Sequence, residues 1–207
     1  MSDLKRVCEM KPILFNTEMV KAILDGRKTQ TRRVVNKEYL GLADIEDNNI
    51  YVPNEDGGYI NILRTSWSKY KVGDILYVRE TFAENFGIQK RVVYKAEFNN
   101  DAPLSIKWKP SIHMPKKYAR IFLKVTNVRV EKLQDITYDD CLREGFLNNQ
   151  LNPTTTFPTK LKNTKIINYI MVMEQWWANL WNSTAKYGYK WEDNPYVFVY
   201  EFERVEV

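Results

Sequence analysis

Residues 16–33 read NTEMVKAILDGRKTQTRR, Asn16 to Arg33, and they set the opening of the fold. Asn16 or Thr17 can cap a helix, and Met19, Val20, Ile23 and Leu24 fall on one face of it. Gly26 stands where a left-handed residue ends a helix, so the chain must turn sharply just before Lys28. The following TQTRRVV (29–35) is rich in β-branched residues and reads as a strand. The preceding PILF (12–15) is a short apolar run that suits a first strand.

Outward from this stretch the pattern is mostly β. Residues 40–66, with NEDGG and several Asn and Asp, are weakly patterned and read as an excursion. KVGDILYVRE (71–80) predicts a turn at Gly73-Asp74 and then a strand. Ile75, Tyr77 and Arg79 lie on one face of it, and Leu76, Val78 and Glu80 on the other. KRVVYKAEF (90–98) predicts another strand, and YARIFLKVTNVRVEKL (118–133) a long one with a bend near Thr126-Asn127. In DITYDDCLREGF (135–146), Thr137 precedes Asp140 by three, the spacing of a capping box, and Gly145 ends the helix with Glu144 in its last turn. Residues 147–165 read as a loop, INYIMVMEQWWANLWNS (167–183) as an apolar helix, and PYVFVYEFERV (195–205) as a closing strand. This order lacks regular strand–helix alternation. It predicts an α+β fold, a small mixed β-barrel with flanking helices. The whole chain, 1–207, is expected to be a single domain with insertions at about 40–66 and 147–165.

Composition narrows the classes. The 207 residues are 44% hydrophobic with six Trp, enough for a real core and against global disorder. The net charge of +5 favours polyanionic partners if it clusters and means little if it is spread. Cys8, Cys141 and the single histidine His113 cannot make a structural zinc site or a disulfide framework, so no metal and no cofactor are expected. MSDLKRVCEM lacks the apolar core of a signal peptide, and no run approaches the ~18 apolar residues of a membrane span. A soluble, cytoplasmic protein without a membrane partner is expected.

The chemistry-bearing residues each carry two readings. Lys28 and Thr31 would face opposite ways in an ideal strand, and converge only if Lys28 is still in the turn after Gly26. Converged, a deprotonated lysine amine could take the threonine proton; otherwise GRKTQTRR is a basic hairpin. Glu144, at the negative end of a helix, is tolerated where a cation lies near, or is an ordinary surface residue. Glu80 could face a cleft or pair with an arginine. His113, in KPSIHMP, is an acid/base candidate or a loop histidine bonding a carbonyl. Trp176, Trp177 and Trp181 have the helical spacing of core residues. Trp191, in a polar loop, could stack on a base or plug a barrel end.

Taken together, ILDGRKTQTRR resembles the Gly-x-Lys-x-x-Glu/Thr-x-Arg signature of the ASCH superfamily, with Gly26, Lys28, Thr31 and Arg33 in register. KVGDILYV, LQDITYDDCLREGF and VFVYEF resemble the later strand, helix and final strand of that fold in the same order. KPSIHMP and GYKWEDNPYVFVYEF are similar to the longer phage and prophage members. The resemblance implies a PUA-like β-barrel associated with RNA or modified nucleobases. It implies Lys28, Thr31 and Glu144 as catalytic residues of an amidohydrolase that removes an acyl group from an N4-acetylcytidine-like nucleoside. Gly26, Arg27, Arg32, Arg33, Glu80, His113, Arg120, Trp191 and Asn194 are the expected substrate or nucleic-acid contacts, with Lys116 and Lys117 also touching phosphate if the partner is RNA. The other functions it leaves open are a non-catalytic RNA or single-stranded nucleic-acid binding module and a metal-independent ribonuclease using His113, Lys28 and Glu144. Oligomeric state is open.

Overall fold

Asn16 caps the first helix, α1 (Thr17–Leu24), its side-chain oxygen accepting from the Met19 N–H at 2.8 Å. Val20, Ala22 and Ile23 are its buried residues; Ala22 takes the place expected for Leu24, which is 36% exposed. The structure is a computed structural model of the chain that describes residues 10–41, 43–46, 49–86, 91–99, 101–146 and 164–207. Cys8 and nearly all of the 147–165 insertion lie outside the described residues.

The chain divides into two compact units, each made of separate stretches. The first comprises Met1–Thr29, Tyr70–Asn127 and Glu201–Val207, the second Gln30–Lys69 and Val128–Tyr200. The first holds β1 (Lys11–Leu14), α1, β6 (Ile75–Arg79), β7 (Phe82–Phe86) and β8 (Arg91–Tyr94). The second holds β2 (Gln30–Val34), β3 (Asp44–Glu46), β4 (Asn49–Pro53), β5 (Tyr59–Asn61), α2 (Tyr138–Arg143) and α3 (Thr164–Asn182). Two long strands, β9 (Phe122–Lys132) and β10 (Tyr196–Val205), pass through both units.

The fold is α+β with a mixed sheet, as expected. In the five-stranded order β1-β6-β9-β10-β2, β1 runs parallel to β6 and β6 antiparallel to β9. The order is open, with β1 and β2 at its ends, and is not a closed barrel among the described residues. In the first unit, Leu76 and Val78 of β6 are buried with Ile13 and Leu123, while Ile75, Tyr77 and Arg79 are partly exposed. The alternation read from the sequence therefore holds. Gly73, at φ +89°, makes the turn before this strand. Its N–H donates to the Val125 carbonyl at 2.8 Å.

Two parts of the β structure depart from the sequence reading. Residues 40–66 are not an unpatterned excursion: β3, β4 and β5 form an antiparallel three-stranded sheet in the second unit. Phe82–Phe86 is a strand pairing with β8, and residues 95–97 leave the predicted 90–98 strand as a single 3-10 turn. In β9, burial alternates until Thr126 and Asn127, which are both exposed. The strand runs unbroken from Phe122 to Lys132 through the position of the expected bend, and the division between units falls after Asn127.

The second unit has its own apolar core of Leu133, Ile136, Cys141, Phe146, Met173, Trp177, Val197 and Val199. Trp176 and Trp181 pack against it, so the helical tryptophans belong to the core as their spacing indicated. At roughly 1.5–3 kcal/mol for each large apolar side chain buried, this cluster contributes substantially to that unit's stability.

Candidate functional site

The Gly26–Arg33 stretch begins in the first unit with a helix end. Gly26 has φ +75° and no atom within 4 Å of where a Cβ would stand, so backbone conformation, not crowding, requires glycine. The N–H groups of Arg27 and Lys28 both donate to the Ala22 carbonyl, at 2.9 and 3.0 Å. Lys28 is therefore still in the turn, the condition set by its spacing from Thr31. It is 2% exposed, and its ammonium stands 5.6 Å from the centre of the Phe15 ring. A buried lysine is rare without a partner or a task. Arg27 donates to Asp25 at 2.9 Å at the surface.

In the second unit, β2 separates its side chains by alternation. Thr31 and Arg33 share one face. Thr31 is 1% exposed, and its hydroxyl oxygen accepts from the Arg33 guanidinium at 2.7 Å. The same Arg33 nitrogen also donates to the Arg32 carbonyl at 2.8 Å. Lys69 lies close enough to feel Arg33. Partial burial, and then the Arg33 charge, hold its ammonium below the ordinary lysine range. Sequence reading missed Lys69; nothing in SKYKV distinguishes it from Lys71.

Gln30 and Arg32 occupy the opposite face. The Arg32 side chain is fully buried. It donates to Glu131 at 2.5 and 3.1 Å and to Glu144 at 3.0 Å, with Asp140 3.1 Å away. Its guanidinium carbon lies 5.7 Å from the centre of the Trp177 ring. Arg129 braces the cluster at 2.9 Å from Glu131 and 3.0 Å from Asp140. Gln30 donates to the Asp140 carbonyl and carboxylate at 3.1 and 3.0 Å. Burial disfavours the Arg32 charge, but Glu144, Glu131 and Asp140 outweigh it and raise its pKa further. Burial would raise Asp140 too, yet hydrogen bonds from Thr137 and Gln30 and the charge of Arg32 bring it down to about 2. Burial pushes the Cys141 thiol up to about 12.

Local sequence explains how the carboxylates arrive. Thr137 and Asp140 form the expected capping box, Thr137 accepting from the Asp140 N–H and Asp140 from the Thr137 N–H. Glu144, the C-terminal cap of α2, lies four residues after Asp140 and shares its helix face. The cation that makes Glu144 tolerable at that helix end is Arg32. Phosphate contact, expected for Arg32, is not what its surroundings serve: a fully buried guanidinium holding three carboxylates offers nothing to a ligand. Glu144 bonds Arg32, whose side chain lies on the face of β2 opposite Thr31 by strand alternation.

Four further expected contacts, Glu80, Arg120, Trp191 and Asn194, have structural partners. In the first unit, Glu80 is 1% exposed and accepts twice from Arg120, at 2.9 and 3.0 Å. Arg120 also donates to Glu97 at 2.7 Å and stacks 4.0 Å from the Tyr94 ring centre. The arginine-pairing alternative for Glu80 is the one realised. Burial, then the Glu80 and Glu97 charges working against Arg120, push the Tyr94 hydroxyl pKa up. In the second unit Trp191 packs against the core cluster and is not a free stacking platform. Asn194 has φ +42°, closes the Trp191–Asp193 turn and accepts from the Gln134 N–H at 2.9 Å, which is a turn-forming role. His113 remains exposed in a 3-10 turn.

No family model, curated protein or solved structure matches this chain. Among the described residues, no cluster of His, Cys, Asp and Glu could hold a metal ion, and no helix is long and apolar enough to cross a membrane.

Proposed function

We propose that the protein is a cytoplasmic amidohydrolase that removes an acyl group from an acylated cytidine or a related modified nucleoside, on the PUA-like core that its signature resembles. The observation that carries this reading is the hydrogen bond from Arg33 to the buried Thr31 hydroxyl. A hydroxyl has one proton and two lone pairs. With a guanidinium on one lone pair, the proton is directed elsewhere, and the cation favours the alkoxide form. Lys69, facing Arg33, adds positive charge to the same neighbourhood.

In this reading Thr31 loses its proton to Lys28 and attacks the amide carbonyl. The C–N bond breaks, and the nucleoside amine leaves with the proton that Lys28 held. Water then hydrolyses the acyl-threonine ester, releasing the carboxylic acid and restoring the hydroxyl. Arg33 faces the oxygen on which charge develops. Glu144 acts through Arg32, by fixing the strand that carries Thr31, and is a positioning residue.

The test is release of cytidine from N4-acetylcytidine, followed chromatographically. Thr31→Ala is expected to abolish turnover, and Lys28→Ala to lower it about 10²–10⁴-fold, the usual contribution of a general base. Both variants are expected to keep the wild-type circular dichroism. Wild-type turnover by folded Thr31→Ala would overturn the reading.

A further inference from the structure

The β3–β5 meander of the second unit differs from the rest of this basic chain in charge. From Leu40 to Leu63 stand Asp44, Glu46, Asp47, Glu55 and Asp56, and all 31 Lys and Arg lie outside that segment. Alternation gives its sheet two unlike faces. Ile50 and Val52 of β4, 0% and 1% exposed, turn to the core. Asp44, Asn49, Tyr51, Pro53, Tyr59 and Asn61 share the other face. The register sets them in rows, Asp44 beside Tyr51 beside Asn61, and Pro53 beside Tyr59. The Asn61 side chain donates to that of Asn49 at 3.1 Å, as sharing a face requires.

Both this face and the edge beside it are open. Tyr59 is 58% exposed, and Asp44, Pro53, Glu55 and Asp56 are exposed with it. Asp44, Glu55 and Asp56 form no ion pair among the described residues. The turn between β4 and β5 is closed by the Asn54 N–H donating to the Gly58 carbonyl at 2.8 Å and the Gly57 N–H to the Asn54 carbonyl at 3.3 Å. Bonded pairs alternate along an antiparallel ladder, so Val52 and Ile60 form the next one. The N–H and C=O groups of Tyr59 and Asn61 therefore point away from β4, and β5 is the last strand of its sheet.

We infer that β5 takes up a basic, extended segment of a partner protein as a fourth strand of this sheet, with the segment's Arg or Lys side chains on the tyrosine face. Main-chain bonds to Tyr59 and Asn61 supply the pairing, and the side chains of alternate residues supply the choice of partner. A side chain directly opposite Tyr59 has its Cβ about 5 Å away, so a cation there comes within reach of the ring. Glu55 and Asp56, in the turn beside Tyr59, are placed for a second cation. The run of acids repels a nucleic acid. It also opposes a second copy of this chain, because pairing β5 with β5 would set one acidic meander against another. The surface uses no residue of the hydrolase reading and is independent of it.

The experiment is fluorescence anisotropy with a labelled peptide that alternates Thr and Arg and is blocked at both ends. It is compared with the same peptide N-methylated at every residue, which keeps each charge but cannot pair with a strand edge, and with a Thr/Glu counterpart. The protein variants are Tyr59→Ala, Glu55→Gln/Asp56→Gln and a control, Glu174→Gln/Glu206→Gln, which removes the same charge from exposed positions elsewhere. The Thr/Arg peptide is expected to bind and the Thr/Glu peptide not to. N-methylation should weaken binding about tenfold or more, the share of two main-chain bonds. Tyr59→Ala should weaken it about 2–5-fold, and Glu55→Gln/Asp56→Gln about 3–10-fold, with the control at the wild-type value. Should either β5 variant lose its fold by circular dichroism, the comparison of the two Thr/Arg peptides on the wild type still decides. Equal affinity for the N-methylated peptide, equal losses in the control, or binding of the Thr/Glu peptide would each overturn the inference. So would a dimer in analytical ultracentrifugation that Tyr59→Ala dissolves while no peptide binds, since the occupant would then be a second copy.

Discussion

Arg32→Met removes the centre of the buried network while keeping an unbranched stem. The guanidinium is fully buried and sits 2.5–3.1 Å from Glu131, Asp140 and Glu144. Taking one partner out of a buried ionic cluster typically costs about 3–5 kcal/mol, because the charges left behind are uncompensated. In a chain of this size that is a fall in Tm on the order of 10 °C. The effect depends on pH with a definite sign. In the wild type, the depressed Asp140 pKa, about 2 against an ordinary 3.8, contributes stability that is fully present above pH 3.8 and is lost as pH falls toward 2. That share is about 2 kcal/mol. In the variant Asp140 loses the support of the Arg32 charge and takes up its proton more readily, so the deficit shrinks on acidification. Urea unfolding followed by tryptophan fluorescence reads this directly, since five of the six tryptophans, Trp67, Trp176, Trp177, Trp181 and Trp191, lie in the second unit. A loss below about 1 kcal/mol at pH 7, or one unchanged between pH 7 and pH 3, would refute the electrostatic account. The latter would assign the loss to packing against Trp177.

Asn194→Ala should cost about 2 kcal/mol, part from a left-handed backbone that alanine resists and part from the lost bond to the Gln134 N–H; Asn194→Gly should recover the backbone share in the same denaturation assay. If Asn194 instead contacted a ligand, its replacement would change binding and leave stability alone. In a Cys8→Ser background, Cys141 should resist Ellman's reagent at neutral pH until the protein is unfolded, because its thiol is buried and pushed up to about 12; prompt reaction of the native protein would show that its helix opens.

What the sequence made legible was governed by local chemistry. The Asn16 cap, Gly26, the Thr137–Asp140 capping box and the two faces of β6 each depend on residues within a few positions, and each is where it was expected. The β3–β5 meander and the β7–β8 pair were missed because strand pairing is chosen by partners that periodicity does not reveal. The site was half visible. Arg27, Arg32 and Arg33 look alike in a string of cations, yet one is at the surface, one is sealed among carboxylates and one holds a hydroxyl. A signal for Arg32 did exist: Asp140 and Glu144, four apart on one helix face, repel unless a cation joins them. The alternating Arg129 and Glu131 on β9 point to the same polar face.

Arg32 and Arg33 are adjacent, carry the same charge and do opposite work, and strand alternation is the reason. The Arg32 face is clamped by Glu131, Asp140 and Glu144, with Gln30 tied to the same helix. A strand fixed on one face holds the other in register, and a nucleophile needs its geometry kept to about half an ångström. On the proposed reading, Glu131, Asp140 and Glu144, by their bonds to Arg32, support Thr31 through the strand that carries both. Neutralising them should move stability, and with it activity, at every substrate concentration. Changing Arg33 should instead move turnover at constant stability.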